Sequence, residues 1–420
     1  MIAMCKPSVI SLFTGAGGLD YGFEAAGFET RVAVEVDERC AETLSRNRPW
    51  PVIVHDVGRV TTAELLQTAG LVPGEADVLV GGPPCQPFSK AGFWATGQSQ
   101  RLDDPRATTL DHYLRILEES RPRAFLLENV EGLGFRGKDE GLRHIESAIA
   151  AINERVGTSY TPSVAVLNAA DFGVPQTRHR LIVVGSRDGT RFRFPKPTHA
   201  ALRSIDLLSK QERWLTAWDA LHDLGDPADA ALAPRGKWAA LLPSIPEGQN
   251  YLWHTDRGRG EPLFGWRRRY WSFLLKLAKD QPAWTLAAQP GPATGPFHWT
   301  GRRLSMREMA RLQTFPDDVE VTGSIAEAQR QLGNAVPSLL AEVLARAMGE
   351  QLLAMPVEVA EPRLKCRAAP IAPPAASAPA AVPDCYHHLR GDHAAHPGTG
   401  QGYGARSRSV DPTFTKQEAA

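Results

Sequence analysis

The chain has 420 residues, of which 43% are hydrophobic and 22% are charged, proportions typical of a globular protein that builds its core without metal or disulfides. Lys and Arg together number 47, as do Asp and Glu, so the formal net charge is zero. This balance excludes a surface coated uniformly in positive charge, but it leaves room for a local basic face that binds nucleic acid.

Alternating strand and helix patterns run through the first part of the chain. Strands are predicted at residues 9–13, 31–36, 51–54, 76–80, 124–127, 163–167 and 181–185. Helices are predicted at residues 19–26, 39–46 and 110–119. This alternation predicts an α/β fold, with a doubly wound and mostly parallel sheet.

The later part of the chain has a different character. Residues 193–299 are rich in Trp, Pro and Arg and show weak periodicity, which predicts a smaller, irregular domain between a first domain segment (1–192) and its return (300–357). Helical patterns resume at residues 305–314 and after residue 337. Residues 367–383 contain eight Ala and five Pro, and a Gly- and Ser-rich stretch follows, so residues 358–420 are predicted to be a disordered tail.

Cysteine usage and hydropathy indicate a reducing compartment. The five cysteines form no CxxC pair, and an odd number suits a cell interior. The sequence contains no run of about 18 apolar residues and no signal-peptide pattern. We therefore expect a cytoplasmic protein without membrane contact and without a metal site.

A glycine-rich turn, residues 13–18, follows the first predicted strand. Glycines there let the backbone approach a ligand beside a helix N-terminus. Glu35 lies 20 residues after Gly15, at the end of the next strand, where a carboxylate can accept hydrogen bonds from ribose hydroxyls. The spacing departs from GxGxxG and favours a nucleoside methyl donor without pyrophosphate; the alternative is a tight turn beside a surface glutamate.

Three further motifs carry candidate catalytic groups. Cys85 lies between prolines after a strand end, which suits a nucleophile, although a buried inert cysteine is the alternative. Glu128 also ends a strand and is expected to face the same cleft, where burial would raise its pKa and allow proton donation. Arg178 and Arg180 precede a strand and suit phosphate or carbonyl oxygens; their alternative is a solvated charge cluster.

In this order, the motifs resemble the DNA (cytosine-5) methyltransferase family, especially its bacterial modification enzymes. The matching blocks are residues 11–22, 81–89, 104–106, 128–130, 176–180, 303–308, 311–316 and 331–337, together with Glu35 and Asp56. The Pro-Pro-Cys-Gln and Gly-Asn-Ala-Val-Pro blocks are the most specific when found together. The resemblance implies a Rossmann-like domain that binds S-adenosylmethionine and a target recognition domain at residues 193–299.

The resemblance also implies a role for each matching residue. The Cys85 thiolate would add to carbon 6 of cytosine, while Glu128 protonates or hydrogen-bonds N3. Arg180 would hold the base carbonyl, and Arg178 would support the base or the nearby backbone. Asp56 would reach the adenine amino group. The implied cofactor pocket is lined by Phe13, Gly15, Gly17, Gly18, Leu19, Glu35, Asp56, Pro83, Asn334 and Val336.

A local excess of basic residues marks the candidate DNA face. Residues 251–280 contain seven Lys or Arg against three Asp or Glu, interleaved with aromatic residues, a pattern that suits phosphate contacts and base readout. A cationic helix with its aromatic face on the core is the alternative. The target base must leave the duplex, and residues 89–104 are expected to close over it. The predicted DNA-binding residues are Ser89, Arg106, Arg257, Arg259, Arg267, Arg268 and Arg269.

One position departs from the family pattern: Thr109 stands where members often carry an apolar residue near the adenine. The implied activity is transfer of a methyl group to carbon 5 of a flipped cytosine in a specific short duplex sequence. The implied setting is a monomer acting as the modification half of a restriction–modification system, with a cognate endonuclease encoded nearby.

Four alternatives remain open. The first two are an orphan regulatory DNA methyltransferase and an RNA cytosine-5 methyltransferase, although the latter would lack a large recognition domain. An inactive DNA-binding homologue would have lost Cys85 or the cofactor glycines, and a dehydrogenase would carry a fuller dinucleotide fingerprint.

Overall fold

The structure, a computed structural model, describes residues 6–84, 108–131, 140–204, 210–227, 229–265, 271–356, 361–366 and 368–390. Several predictions fall on residues outside these ranges. They concern the loop at residues 89–104 and the side chains of Cys85, Ser89, Arg106, Arg267, Arg268 and Arg269.

Strands and helices alternate through the first half of the chain. The strands are β1 (Ser8–Leu12), β2 (Glu29–Glu35), β3 (Val52–Val54), β4 (Val78–Gly81), β5 (Ala124–Val130), β6 (Ser163–Asn168) and β7 (His179–Ser186). The helices among them are α1 (Gly18–Ala25), α2 (Glu38–Asn47), α3 (Thr62–Ala69), α4 (Thr108–Ser120) and α5 (Glu140–Val156). The later elements are β8 (His199–Ala200), β9 (Glu212–Arg213), α6 (Ala217–Leu221), α7 (Met306–Leu312), α8 (Ile325–Asn334) and α9 (Ser338–Leu352).

Strands β1 to β7 form one sheet in the order β3-β2-β1-β4-β5-β7-β6. The pairs from β3 to β5 are parallel, whereas β7 is antiparallel to both β5 and β6. This arrangement confirms the predicted α/β fold with a mostly parallel sheet. In the β5–β7 register, Glu128 is opposite Ile182 and Val130 is opposite Arg180. The first residues of β7 therefore lie at the edge where the parallel strands end.

Apolar clusters cover both faces of this sheet because alternate residues of a strand point to opposite sides. Ile10 of β1 belongs to a buried cluster with Leu65 of α3 and Leu117 of α4. Its neighbour Val9 belongs to the opposite cluster, which includes Leu340 of α9. Burying each of the larger side chains contributes about 1.5–3 kcal/mol, so helices on both faces hold the carboxyl ends of the strands in place.

The region predicted as an irregular domain contributes to two further cores. Leu221 of α6 and Leu286 pack with Leu312 of α7 in a cluster that continues the main fold. In the described part of the chain, a separate aromatic core contains eight buried residues, namely Leu241, Leu242, Ile245, Tyr251, Leu263, Leu274, Phe297 and Tyr386. Part of the region is therefore built onto the main domain, and the rest packs around its own centre.

The predicted disorder of the C-terminal tail is wrong for residues 368–390. This segment ends in a 3-10 helix (Asp384–Leu389), and Tyr386 is only 6% exposed. The Ala- and Pro-rich composition predicted disorder because it offers little to bury, but Val382, Tyr386 and Leu389 all reach the aromatic core. None of the helices in the described ranges has the length and apolar character needed to cross a bilayer.

Candidate active site

A cavity of about 500 Å³ opens at the edge where β1, β2, β4 and β5 end. Ligands of open α/β sheets bind in such a position, and the volume suits a small molecule. The predicted acid, Glu128, and the arginine predicted to hold the base, Arg180, both line this cavity. Most of the residues predicted to bind the cofactor also line it, namely Phe13, Gly15, Gly18, Leu19, Glu35, Asp56, Pro83, Asn334 and Val336. Gly17 and Arg178 lie outside this wall.

The turn after β1 takes a backbone shape that favours glycine. Gly15 and Gly17 have φ values of 57° and 87°, in the left-handed region, and Phe13 has a φ of 53°. A Cβ atom on Gly18 would lie 2.2 Å from the carbonyl oxygen of Val336. Gly18 therefore permits the close approach of the segment before α9, which brings Val336 and Asn334 to the same cavity as β1.

Glu35 is held at the end of β2 by two backbone donors. Gly15 N–H donates to Oε2 at 2.6 Å, and Asp37 N–H donates to Oε1 at 2.8 Å. Burial raises the pKa of this carboxyl group, which is 7% exposed, while the two hydrogen bonds lower it. The carboxylate is thus fixed against the glycine turn, in an orientation suited to receive hydroxyl donors from a ligand.

Asp56 lines the cavity from the segment after β3. Its Oδ1 accepts a hydrogen bond from Gly58 N–H at 2.7 Å, which fixes the carboxylate at the start of a short 3-10 turn. With Glu35, the glycine turn and the cavity volume, this placement fits the nucleoside half of S-adenosylmethionine, the cofactor that the sequence implies.

At the other end of the cavity, Glu128 and Arg180 form an ion pair. The Arg180 Nε lies 2.7 Å from Glu128 Oε1, and the two side chains are 13% and 11% exposed, respectively. Burial raises the pKa of Glu128, and the charges of Arg180 and Arg178 oppose that rise. A Cβ atom on Gly82 would lie 2.8 Å from Glu128 Oε2, so the glycine makes room for the carboxyl group.

Arg178 lies behind the cavity wall and is fully buried. Its Nη2 donates to the carbonyl oxygen of Gly333 at 2.7 Å, and its Nη1 donates to that of Leu286 at 3.4 Å. Burial and the nearby charge of Arg180 hold the pKa of its guanidinium well below the usual range. Of the two roles expected for Arg178, this geometry favours support of the backbone next to Asn334.

Two hydrogen bonds fix the turn that leads into Cys85, which itself lies outside the described residues. Asn129 Nδ2 donates to the carbonyl oxygen of Pro83 at 3.3 Å. Thr109 Oγ1 donates to the carbonyl oxygen of Pro84 at 3.2 Å. Thr109, which departs from the family pattern, thus connects α4 to the residue immediately before Cys85.

Several residues of the cavity wall were not predicted as site residues, among them Val36, Cys40 and Arg330. Val36 follows Glu35 at the end of β2 and is 65% exposed, and a single exposed apolar residue of this kind gives no signal in the sequence. Arg330 forms an ion pair with Asp37, whose carboxylate also caps α2. This pair joins two segments 293 positions apart, so local sequence carries no signal for it.

The candidate DNA-binding residues are only partly described. Arg257 and Arg259 are exposed, as a phosphate contact requires. Next to the undescribed arginines, Trp271 is 50% exposed and lies 5.3 Å from Trp284, ring centre to ring centre. Among the described residues, no group of three or more His, Cys, Asp or Glu side chains is arranged to hold a metal ion.

Comparison with known proteins gives consistent matches. The family described as C-5 cytosine-specific DNA methylase matches residues 8–350. The Type II methyltransferase M.SacI of Streptomyces achromogenes is 43% identical over 369 residues, which cover 82% of this chain and 93% of that relative. The Type II methyltransferase M.NgoFVII of Neisseria gonorrhoeae is 33% identical over 337 residues, covering 79% of this chain and 83% of that relative.

Solved structures share the fold at lower identity. A prophage-encoded DNA modification methyltransferase from E. coli superposes with a TM-score of 0.60 at 23% identity, covering 83% of this chain and 100% of that one. The DNMT2 of Spodoptera frugiperda superposes with a TM-score of 0.56 at 15% identity, covering 82% of this chain and 99% of that one.

Proposed function

Because the chain belongs to the C-5 cytosine-specific DNA methylase family, we propose that its cavity transfers a methyl group from S-adenosylmethionine to carbon 5 of a cytosine in duplex DNA. The observation that supports this proposal most directly is the position of the polar side chains along the cavity. One continuous cavity has the fixed carboxylate of Glu35 at one end and the Glu128–Arg180 pair at the other. It therefore joins a nucleoside-binding half to a half that can donate a proton and hold a polar base edge.

The cofactor half is assigned to residues of the glycine turn and the strand ends. S-adenosylmethionine, when bound, supplies an electrophilic methyl group on its sulfonium. Glu35 accepts hydrogen bonds from ribose hydroxyls, and Asp56 accepts one from the adenine amino group. Phe13, Leu19 and Val336 give the apolar surface that excludes water from the transfer path.

The base half is assigned to four residues. The Cys85 thiolate adds to carbon 6 of the cytosine, and Glu128 donates a proton or a hydrogen bond to N3 so that carbon 5 becomes nucleophilic. Arg180 holds the base carbonyl while it keeps Glu128 in place, and Arg178 supports the backbone beside the cofactor. After methylation, loss of the carbon-5 proton expels Cys85 and restores the ring. The buried setting of Glu128 supports this assignment, since burial raises the pKa of its carboxyl group and so favours the protonated form.

The DNA substrate is engaged by residues 193–299, which we assign as the target recognition domain. The cytosine leaves the duplex to enter the cavity, which costs a few kcal/mol of stacking and pairing. Arg257 and Arg259, together with Ser89, Arg106, Arg267, Arg268 and Arg269, contact the DNA. The names of the relatives support a role in a Type II restriction–modification system. We assign this role to a cytoplasmic monomer, as the family resemblance implies.

The test compares the wild-type chain with Cys85→Ser on mixed-sequence duplex DNA with labelled S-adenosylmethionine, followed by bisulfite sequencing. We expect carbon-5 methylation at one short motif by the wild type and none by the variant. Methylation of transfer RNA, but not of duplex DNA, would contradict the DNA assignment. An endonuclease gene beside this one, cutting at the mapped motif, is the expected result for the restriction–modification role; its absence would favour an orphan enzyme.

A further inference from the structure

The described residues between 361 and 390, here called the C-terminal strap, run from α9 of the main domain to the aromatic core of the recognition region. Near its start, the strap contacts Glu342 of α9, whose side chain is completely buried. The two oxygens of this carboxylate accept hydrogen bonds from Arg363 N–H at 2.6 Å and Leu364 N–H at 2.8 Å. The main domain thus holds a buried carboxylate that Arg346 of the same helix and the strap backbone satisfy together.

The middle of the strap is hydrogen-bonded to α6 and to Lys279. Ala369 N–H donates to Asp219 Oδ1 at 2.8 Å, and Trp218 Nε1 donates to the carbonyl oxygen of Ile371 at 2.8 Å. The Lys279 ammonium donates to the carbonyl oxygen of Pro374 at 3.3 Å. The strap therefore follows a defined path over the junction between the two regions, although residues 368–383 are mostly Ala and Pro.

The far end of the strap enters the aromatic core through Tyr386. Its ring is stacked on Trp238, with ring centres 5.8 Å apart and an interplanar angle of 15°. Its hydroxyl donates to the carbonyl oxygen of Lys237 at 2.7 Å. Arg390 then pairs with Glu261 on the surface. Among the described residues, Tyr386 is one of eight that are buried in this core, so removing the strap would take a buried ring out of it.

We propose that the C-terminal strap fixes the orientation of the recognition domain relative to the catalytic domain, with Tyr386 as the positioning residue that anchors it. The proposal rests on the proposed function, because it assigns DNA binding to the region around the aromatic core. The strap connects a buried carboxylate on one side to a buried ring on the other, and it does so beside the junction cluster that contains Leu221, Leu286 and Leu312. Loosening one anchor lets the recognition domain take several orientations, of which only some bind DNA, so the apparent affinity for DNA falls in proportion to the competent fraction.

The step that the strap controls is DNA placement, not methyl-transfer chemistry. Tyr386 lies outside the wall of the cavity, as do Glu342 and the strap residues that contact it. Loss of the anchor should therefore raise the KM for DNA and relax the choice of target motif, and it should leave cofactor affinity unchanged. A residue with only a structural role would instead lower the fraction of folded enzyme, and with it the apparent kcat, and would leave the KM for DNA and the motif choice of the folded fraction unchanged.

The experiment uses the full chain with Tyr386→Ala, Tyr386→Leu and Tyr386→Phe, and a chain that ends after residue 390 as the control for the undescribed terminus. For Tyr386→Ala we expect the KM for duplex DNA to rise about tenfold or more, with kcat and the Kd for S-adenosylmethionine within about twofold of wild type. Bisulfite sequencing should show methylation at near-cognate motifs. Tyr386→Phe keeps the stacked ring and should recover most of the wild-type KM, and the shortened chain should match wild type.

The outcomes separate the strap from the activity itself. Wild type that does not methylate DNA contradicts the proposed function. Wild type that methylates, with a Tyr386→Ala variant of unchanged KM and motif choice, overturns the strap proposal. A parallel fall in kcat and cofactor affinity also overturns it. If the alanine variant does not fold, Tyr386→Leu must show the same separation of KM from cofactor affinity, and its absence overturns the proposal.

Discussion

Replacing Glu128 by glutamine tests the base half of the site at its most informative position. Glutamine keeps the length of the side chain and can still accept a hydrogen bond from Arg180 Nε, which lies 2.7 Å from the carboxylate. It removes the ionisable proton and the negative charge. The variant therefore separates proton donation to the cytosine from the packing role of the side chain.

The structure sets the size of the two expected effects. Removing one partner of a buried ion pair costs about 3–5 kcal/mol of stability, but the retained hydrogen bond limits the loss here to about 1–3 kcal/mol. Loss of a positioned general acid lowers kcat by about 10²–10⁴-fold, which corresponds to about 2.7–5.4 kcal/mol in the barrier. Affinity for S-adenosylmethionine should remain near wild type because Glu35 and Asp56 lie at the other end of the cavity.

The assay measures kcat at saturating DNA and cofactor, cofactor affinity by calorimetry, and stability by urea denaturation. Glu118→Gln is the matched control, since Glu118 also pairs with an arginine, Arg155, at 2.6 Å, but on the outer surface of α4. A folded Glu128→Gln enzyme with kcat within tenfold of wild type would refute the reasoning. So would a loss of rate that follows a loss of cofactor affinity.

The same variant should change the dependence of kcat on pH. Burial raises the pKa of Glu128, so the protonated acid persists to higher pH than for an exposed glutamate. In the wild type, kcat should fall as pH rises through this pKa. The kcat of Glu128→Gln should not show this fall with rising pH. If the fall is unchanged in the variant, a group other than Glu128 causes it.

Three further changes test neighbouring features. Gly82→Ala places a methyl group 2.8 Å from Glu128 Oε2, so kcat should fall about tenfold or more while cofactor affinity, measured by calorimetry, stays the same. Thr109→Val removes the donor to Pro84 and should lower kcat up to about tenfold, with recovery in Thr109→Ser. Burial raises the pKa of Asp20 from 3.8 to about 6. Folding thus favours its protonated form, and this contribution, about 3 kcal/mol at most, is complete below about pH 4 and lost as pH rises through about 6. Asp20→Asn should flatten this dependence in urea titrations.

The sequence predicted the fold well because apolar periodicity and glycine positions are local signals. The strands before the glycine turn and before Cys85 were placed within about two residues of their observed ends. Helices α3, α5 and α8 were not predicted. In α8, Gly333 interrupts the helical pattern, but a Cβ there would lie 2.5 Å from Ala288, so long-range packing requires the glycine.

The sequence predicted which residues belong to the site, but it did not predict which residues contact one another. Spacing and strand position marked Glu35, Glu128 and Arg180, the family resemblance then implied their roles, and all three line the cavity. The ion pair of Arg330 with Asp37 and the contact of Tyr386 with Trp238 join residues far apart in sequence, so they depend on how the folded chain brings distant segments together. Composition misled the tail prediction for this reason: a few apolar anchors decide whether an Ala- and Pro-rich segment packs.

The direction of β7 explains why one site residue, Arg180, lies at the beginning of a strand. Glu35 and Glu128 come at the ends of parallel strands, and Cys85 follows one, whereas Arg180 comes at the start of its strand. Since β7 is antiparallel to β5, its beginning lies at the edge where the parallel strands end, and Arg180 reaches Glu128. A parallel β7 would carry the arginine to the opposite edge, more than four strand residues away at about 3.3 Å each. The antiparallel direction of β7 therefore brings Arg180 into the base half of the cavity. In the sequence, this direction corresponds to a site arginine at the beginning of a strand instead of at its end.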